Sequence, residues 1–196
     1  MGVDLSGDPT KGRFSDYEVE LERARAAGLK VSAHAAEVPN SEEVDKILDF
    51  KPDRLGHFLC VTDKQLQRAI DDETPVEICP ASNCCTLGLP HFSHHPTLKS
   101  LVAANHPVSF STDDPGVFDT TASHSLALAA EALGWDEWRC AGAVWDAVDQ
   151  VFEGNRRVRS RVAREVRLKI KRMLGVLEGL EGVKREDKEL QGGRKS

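Results

Sequence analysis

Five short apolar runs, each followed by a helix-forming stretch, constrain the fold of this chain more than any other feature. The runs fall at residues 2–5, 29–33, 54–56, 76–79 and 108–110. Ser15 and Glu18 have the spacing of a capping box, and Gly28 supplies a stop for the helix they open. Asn40 with Glu43 opens a second helix through Phe50, and Thr62 with Gln65 a third through about Asp72. Pro96 suits the first turn of a fourth, which Asn105 can end in a left-handed cap. Strand and helix in strict alternation with short loops mean βαβ units, and βαβ units mean a parallel sheet. After Asp114 the pattern is helical only, with helices expected over 123–133, 136–152 and 156 to about 177. Residues 181–196 are charged and glycine-containing and read as a disordered tail, which leaves one domain over 1–180.

The bulk numbers narrow the classes. With 196 residues, 40% of them hydrophobic, the chain can bury one globular core. A net charge of −6 gives no preference for nucleic acid or an anionic membrane. No apolar run approaches the roughly 20 residues that span a bilayer. Residues 1–5 carry no basic segment ahead of a long apolar one, so no secretory signal is expected. Five cysteines without regular spacing point to a reduced, cytoplasmic setting rather than a disulfide framework.

Several of the apolar runs close on residues that carry chemistry. The last ends in Ser111-Thr112-Asp113-Asp114-Pro115. Two adjacent carboxylates at a strand end are costly unless a metal, a bound base or hydrogen-bond donors compensate. The alternative is a helix N-cap with an acidic first turn. His34 and Glu37 follow the second run, and His57 follows the third after Gly56. Imidazole is a common zinc ligand, and a nearby carboxyl can move protons if its surroundings raise its pKa. A hydrogen-bonded histidine beside a helix-start glutamate, and a loop histidine, explain the same residues without a site. Gly7 in Ser6-Gly7-Asp8-Pro9 either brings backbone close to a ligand or makes an ordinary turn.

Two other clusters carry less. Cys79, Cys84, Cys85, His91, His94 and His95 lack the paired spacing of a structural zinc site, so the cysteines read as buried, reduced thiols. The absence of Cys-x-x-Cys excludes the zinc cytidine and tRNA-type deaminases. The basic stretch from Arg156 has a single apolar stripe, Val158, Val162, Val166, Ile170, Leu174 and Leu177, and reads as an amphipathic helix with a solvated face.

Taken in order, these pieces resemble the adenosine deaminase family. The resemblance rests on Asp4-Leu5-Ser6-Gly7-Asp8-Pro9, His34-Ala35-Ala36-Glu37, Arg54-Leu55-Gly56-His57, Glu77-Ile78-Cys79-Pro80-Ala81-Ser82-Asn83 and Ser111-Thr112-Asp113-Asp114-Pro115. The first of these is more similar to the adenosine deaminase-like branch, which acts on N6-methyl-AMP. The resemblance implies an α/β fold, strands four to eight of a (β/α)8 TIM barrel with extra C-terminal helices. It implies a zinc-dependent deaminase of a 6-aminopurine or N6-methylaminopurine nucleoside or nucleotide, monomeric at full length. His34 and Asp113 match the metal ligands. Glu37 matches the acid that protonates purine N1, and His57 the group that orients the attacking hydroxide. Asp114 matches an acceptor at N7, and the Gly7 backbone a contact at the N3 edge.

The chain also departs from the family pattern. The family's first strand supplies His-x-His, and none occurs here. Strands one to three, on the order of 90 residues, have no counterpart, so the sequence reads as the truncated C-terminal part of a barrel. A catalytic zinc takes at least three protein ligands, and His34 with Asp113 makes two. A catalytically inactive purine-binding remnant, or another metal-dependent amidohydrolase, therefore stands beside the deaminase as an expectation. Phe58 occupies a position where the family often has a small residue.

Overall fold

The computed structural model describes the backbone of residues 1–192 and the side chains of 1–175. The chain divides into two compact units, Met1–Gly154 and Asn155–Ser196. The first unit holds a five-stranded, all-parallel, open sheet in the order β1 (Gly2–Leu5), β2 (Lys30–Ala35), β3 (Arg54–His57), β4 (Val76–Ile78) and β5 (Val108–Phe110). Every expected strand forms. The order follows the sequence, as it does in a barrel wall, because each crossover returns the chain beside the strand it left.

Register separates two faces. Leu5, Ala33, Leu55, Val76 and Val108 lie in one lateral row, and Ala33, Leu55 and Val76 are wholly buried. That row joins Val44, Ile47, Leu48, Ala69 and Leu101 from the helices in one hydrophobic core. Side chains alternate along a strand, so the next row faces the opposite side. That row holds His34, Gly56, Glu77 and Ser109. The inner face is thus polar, and Arg54 and Glu77 pair across it at 3.0 Å.

The helices begin where their caps allow. In α1 (Glu18–Ala26) the Ser15–Glu18 box does not form. Ser15 lies instead in a short turn, Phe14–Asp16, where the Asp16 carboxylate accepts from the Arg13 N–H at 2.9 Å. Asn40 caps α2 (Ser41–Phe50) by accepting from the Glu43 N–H at 3.2 Å, while the Glu43 carboxylate turns away to accept from the Phe14 N–H. A full capping box forms at α3 (Asp63–Asp71), with Thr62 and Gln65 bonding reciprocally at 3.0 and 3.3 Å. An unexpected α4 (Pro80–Leu87) starts on Pro80 and stops at Gly88. Its sequence lacks an apolar repeat, and the proline at its first position was the only signal. Then come α5 (Leu98–Ala103), two residues past Pro96, and the short α6 (Pro115–Phe118). After them lie α7 (Ala122–Leu133) and α8 (Glu137–Ala147).

The second unit is one helix, α9 (Arg156–Gly192). The disordered tail expected over 181–196 is helical through Gly192, and 193–196 lie outside the described residues. Lys, Arg, Glu and Leu are strong helix formers, so charge density there argues for solvent without arguing against a helix. No described helix is long and apolar enough to cross a membrane.

Candidate active site

Three strand ends and two loops bring the titratable groups together. His34 leaves β2 on the polar face, directly beside Gly56 of β3 in register. That glycine is required. A Cβ there would stand 2.7 Å from His34 Cδ2 and 3.3 Å from His34 Cα. His57 ends β3, where strict alternation aims its side chain at the helices. Its φ of 61° breaks the alternation, and the ring reaches His34, Nε2 to Nδ1, at 3.0 Å. Glu37 lies 3.5 Å from His34 Nδ1 and 3.8 Å from His57 Nε2. Asp113, also left-handed at φ 58°, approaches His57 Nε2 to 3.9 Å, and Asp4 at the end of β1 approaches His34 Nε2 to 3.7 Å.

Burial and charge set the protonation states. For His34, burial is the largest influence and disfavours the cation. The Glu37 hydrogen bond, with the charges of Asp4, Glu37 and Asp113, outweighs it and raises the pKa above the usual value. Glu37 shows the converse. Burial favours its neutral form, but the His34 hydrogen bond and the charges of His57 and His34 hold it below the usual carboxylate range. The expectation of a carboxyl raised toward neutrality is therefore not met without a ligand, because two imidazoles stabilise the anion. His57, 1% exposed, is pushed down chiefly by burial. Burial, then the Asp113 and Glu77 carboxylates, drives the Cys79 thiol far up, so it stays neutral.

The donor set fits a metal ion. Ligand atoms of His34, Glu37 and His57 lie within 4.8 Å of one another, and so do those of His57, Cys79 and Asp113. Imidazole nitrogens and carboxylate oxygens are the ligands zinc takes, whereas a thiol binds it only after losing its proton. Beside His34 and Glu37 opens a cavity of about 390 Å3 that also touches Ser6, Gly7, Lys11 and Asn40. Gly7 there has a φ of 134°, a conformation that disfavours any side chain.

The adenosine deaminase family profile matches residues 1–167. The chain belongs to that family. It is 38% identical over 152 residues to an adenosine deaminase-like protein of Drosophila melanogaster, covering 78% of this chain and 45% of the relative. It is 37% identical over 153 residues to an N6-mAMP deaminase of Arabidopsis thaliana, covering 78% and 42%. A crystal structure of Arabidopsis ADAL complexed with IMP superposes with a TM-score of 0.79 at 33% identity, over 87% of this chain and 48% of that one. The chain thus spans less than half the length of these curated relatives. Its open sheet corresponds to about half of the TIM-barrel fold of the amidohydrolases.

Within this adenosine deaminase-type sheet, four of the six expected residues converge: His34, Glu37, His57 and Asp113. Gly7 lines the cavity beside them. Asp114 does not join. It is exposed at the N-cap position of α6, and its carboxylate does not cap that helix. Three contributors escaped the sequence reading. Asp4 sits at the first strand end beside His34. Asn83 and His95 lie behind His57, with Asn83 Nδ2 at 2.9 Å from His57 Nδ1 and Asn83 Oδ1 at 3.2 Å from His95 Nε2. Asn83 is separated from His57 by 26 residues, and only burial of both marks them as partners.

Proposed function

We propose that this chain carries half of the active site of a cytoplasmic, zinc-dependent purine deaminase, with N6-methyl-AMP to IMP as the favoured reaction. The observation that carries the reading is the convergence of His34, Glu37, His57 and Asp113 beside a cavity of about 390 Å3, within the size range of small-molecule sites. The likeness to relatives named for N6-mAMP deamination, and to a structure holding IMP, supports the nucleotide as substrate. The match over residues 1–167 supports a barrel-type domain drawn over 1–180, beyond the first compact unit.

His34 and Asp113 are the residues to hold zinc. When bound, zinc supplies a Lewis acid that lowers the pKa of water toward neutrality. Glu37 starts as the anion, so it takes up a proton released from the attacking water and delivers it to purine N1. His57 stands behind the attack and orients the water oxygen toward C6. The Gly7 backbone meets the N3 edge, and Asp114 meets the N7 edge once the loop turns toward the base. Oxygen joins C6 as a hydroxyl, its remaining proton passes to the exocyclic nitrogen, the C6–N bond breaks, and methylamine leaves from an N6-methyl substrate.

A second reading is a purine-binding chain without turnover. It is favoured by the ligand set, since His34 and Asp113 are the only family-type pair among the described residues. Zinc titration with parallel assay of N6-methyl-AMP, AMP, adenosine and adenine separates the two. The deaminase reading expects about one zinc per chain, IMP from N6-methyl-AMP, and loss of IMP formation in Glu37→Gln with zinc retained. Nucleotide binding without zinc or turnover overturns it in favour of the second reading.

A further inference from the structure

We propose that Asn83 is a positioning residue which, held by Cys79 and His95, fixes His57 as the tautomer with its proton on Nε2. The assignment follows from backbone groups whose direction of donation is not in question. A backbone N–H can only donate. The Cys79 N–H points at Asn83 Oδ1 at 3.2 Å, which identifies that atom as the amide oxygen. The remaining amide atom, Nδ2, then faces His57 Nδ1 at 2.9 Å as a donor. His57 Nδ1 must be the bare nitrogen, so a neutral His57 carries its proton on Nε2.

The far end is anchored by the same logic. The N–H groups of Thr97 and Leu98 both point at His95 Nδ1, at 3.4 and 3.1 Å, so that nitrogen is also an acceptor. His95 Nε2 therefore carries a proton and donates it to Asn83 Oδ1 at 3.2 Å. Asn83 is wholly buried, His95 is 4% exposed and His57 is 1% exposed, so water does not compete for any of these bonds. The order runs from the start of α5 through His95, Asn83 and His57 to His34 Nδ1, 3.0 Å from His57 Nε2.

The consequence is a division of labour. A nitrogen that carries a proton is a donor and not a metal ligand. His57 thus presents its N–H toward His34 Nδ1, with the Glu37 and Asp113 carboxylates farther off at 3.8 and 3.9 Å, and the metal falls to other groups. This consequence for turnover rests on the deaminase reading; the tautomer does not.

The test is nitrogen NMR on the full chain labelled at histidine, at a pH where His57 is neutral. The proposal expects bare Nδ1 and protonated Nε2 at both His57 and His95. In Asn83→Asp the new carboxylate accepts where the amide donated. A carboxylic acid is a stronger acid than imidazolium, so the shared proton resides on the ring and His57 Nδ1 becomes protonated. His95→Leu leaves Asn83 held by the Cys79 N–H, which keeps the amide in its orientation and the His57 proton on Nε2. Protonated Nδ1 in the parent chain overturns the proposal, and so does an unchanged His57 in Asn83→Asp. In an active deaminase, Asn83→Asp lowers kcat by about 10- to 100-fold with KM little changed, as for other groups that orient a site from behind. The expected tautomers in a chain that turns nothing over overturn the deaminase reading and leave this one standing.

Discussion

His95 is a histidine whose charge the fold refuses. Burial, helped by the nearby His57, pushes its pKa down to about 4 from an ordinary 6.5. Above pH 6.5 it is neutral in both the folded and the unfolded chain, so its contribution to stability is fully present. As pH falls through 6.5 the unfolded chain takes up a proton that the folded chain refuses, and stability drops until about pH 4. The loss due to this one group is on the order of 3 kcal/mol. Urea unfolding between pH 7 and pH 4 measures it, and His95→Gln removes that segment of the pH dependence. A parent curve flat across this window contradicts the assignment. His34 responds differently, since Glu37, Asp4 and Asp113 favour its charged form. His34 was legible in sequence as the end of an apolar run. Nothing in sequence separated His95 from His91 or His94, which stay near the surface, because burial is a property of the fold.

At the scale of elements, the ends of strands do most to shape the site. Ala36, His57, Phe58 and Asp113 all have φ between 54° and 61°, and all lie at or just past the ends of β2, β3 and β5. Non-glycine residues there cost roughly 1–3 kcal/mol each and persist only where surrounding structure fixes them. At His57 and Asp113 the strain redirects side chains from the alternation of the sheet toward one point. The close pairing of β2 and β3 depends on Gly56 in the same way. Gly56→Ala drives a methyl into the His34 ring and its backbone, and the ring shifts off its position. The expected result is a loss of about 1–3 kcal/mol in unfolding free energy and about tenfold or more in zinc affinity. Calorimetric zinc titration and chemical denaturation read the two effects, and unchanged values in both contradict the packing. Strands and most helices were legible because their apolar runs and caps are local. The α4 helix was not, since its stability comes from packing Pro80, Ser82 and Asn83 inside rather than from its own repeat.

At the scale of the molecule, the sheet remains open. Among the described residues β1 and β5 each pair with one strand only, and the inner face carries His34, Arg54, Glu77 and Ser109. An unpaired parallel edge offers N–H and C=O groups to any other strand. The chain by itself is expected to associate with rising concentration, and sedimentation velocity over a concentration series measures this. A monomer throughout shows that the edges are protected. The sequence by itself determined the βα alternation, the strand order, the family and the residues that close each strand. These depend on local propensity and on spacing along the chain. Only the tertiary structure decided which of those residues meet. Register set His34 against Gly56, left-handed strand ends turned His57 and Asp113 inward while Asp114 stayed outside, and burial joined Asn83 and His95 to His57. Each of these is a contact between residues far apart in sequence, and its energy exists only once the chain has closed around it.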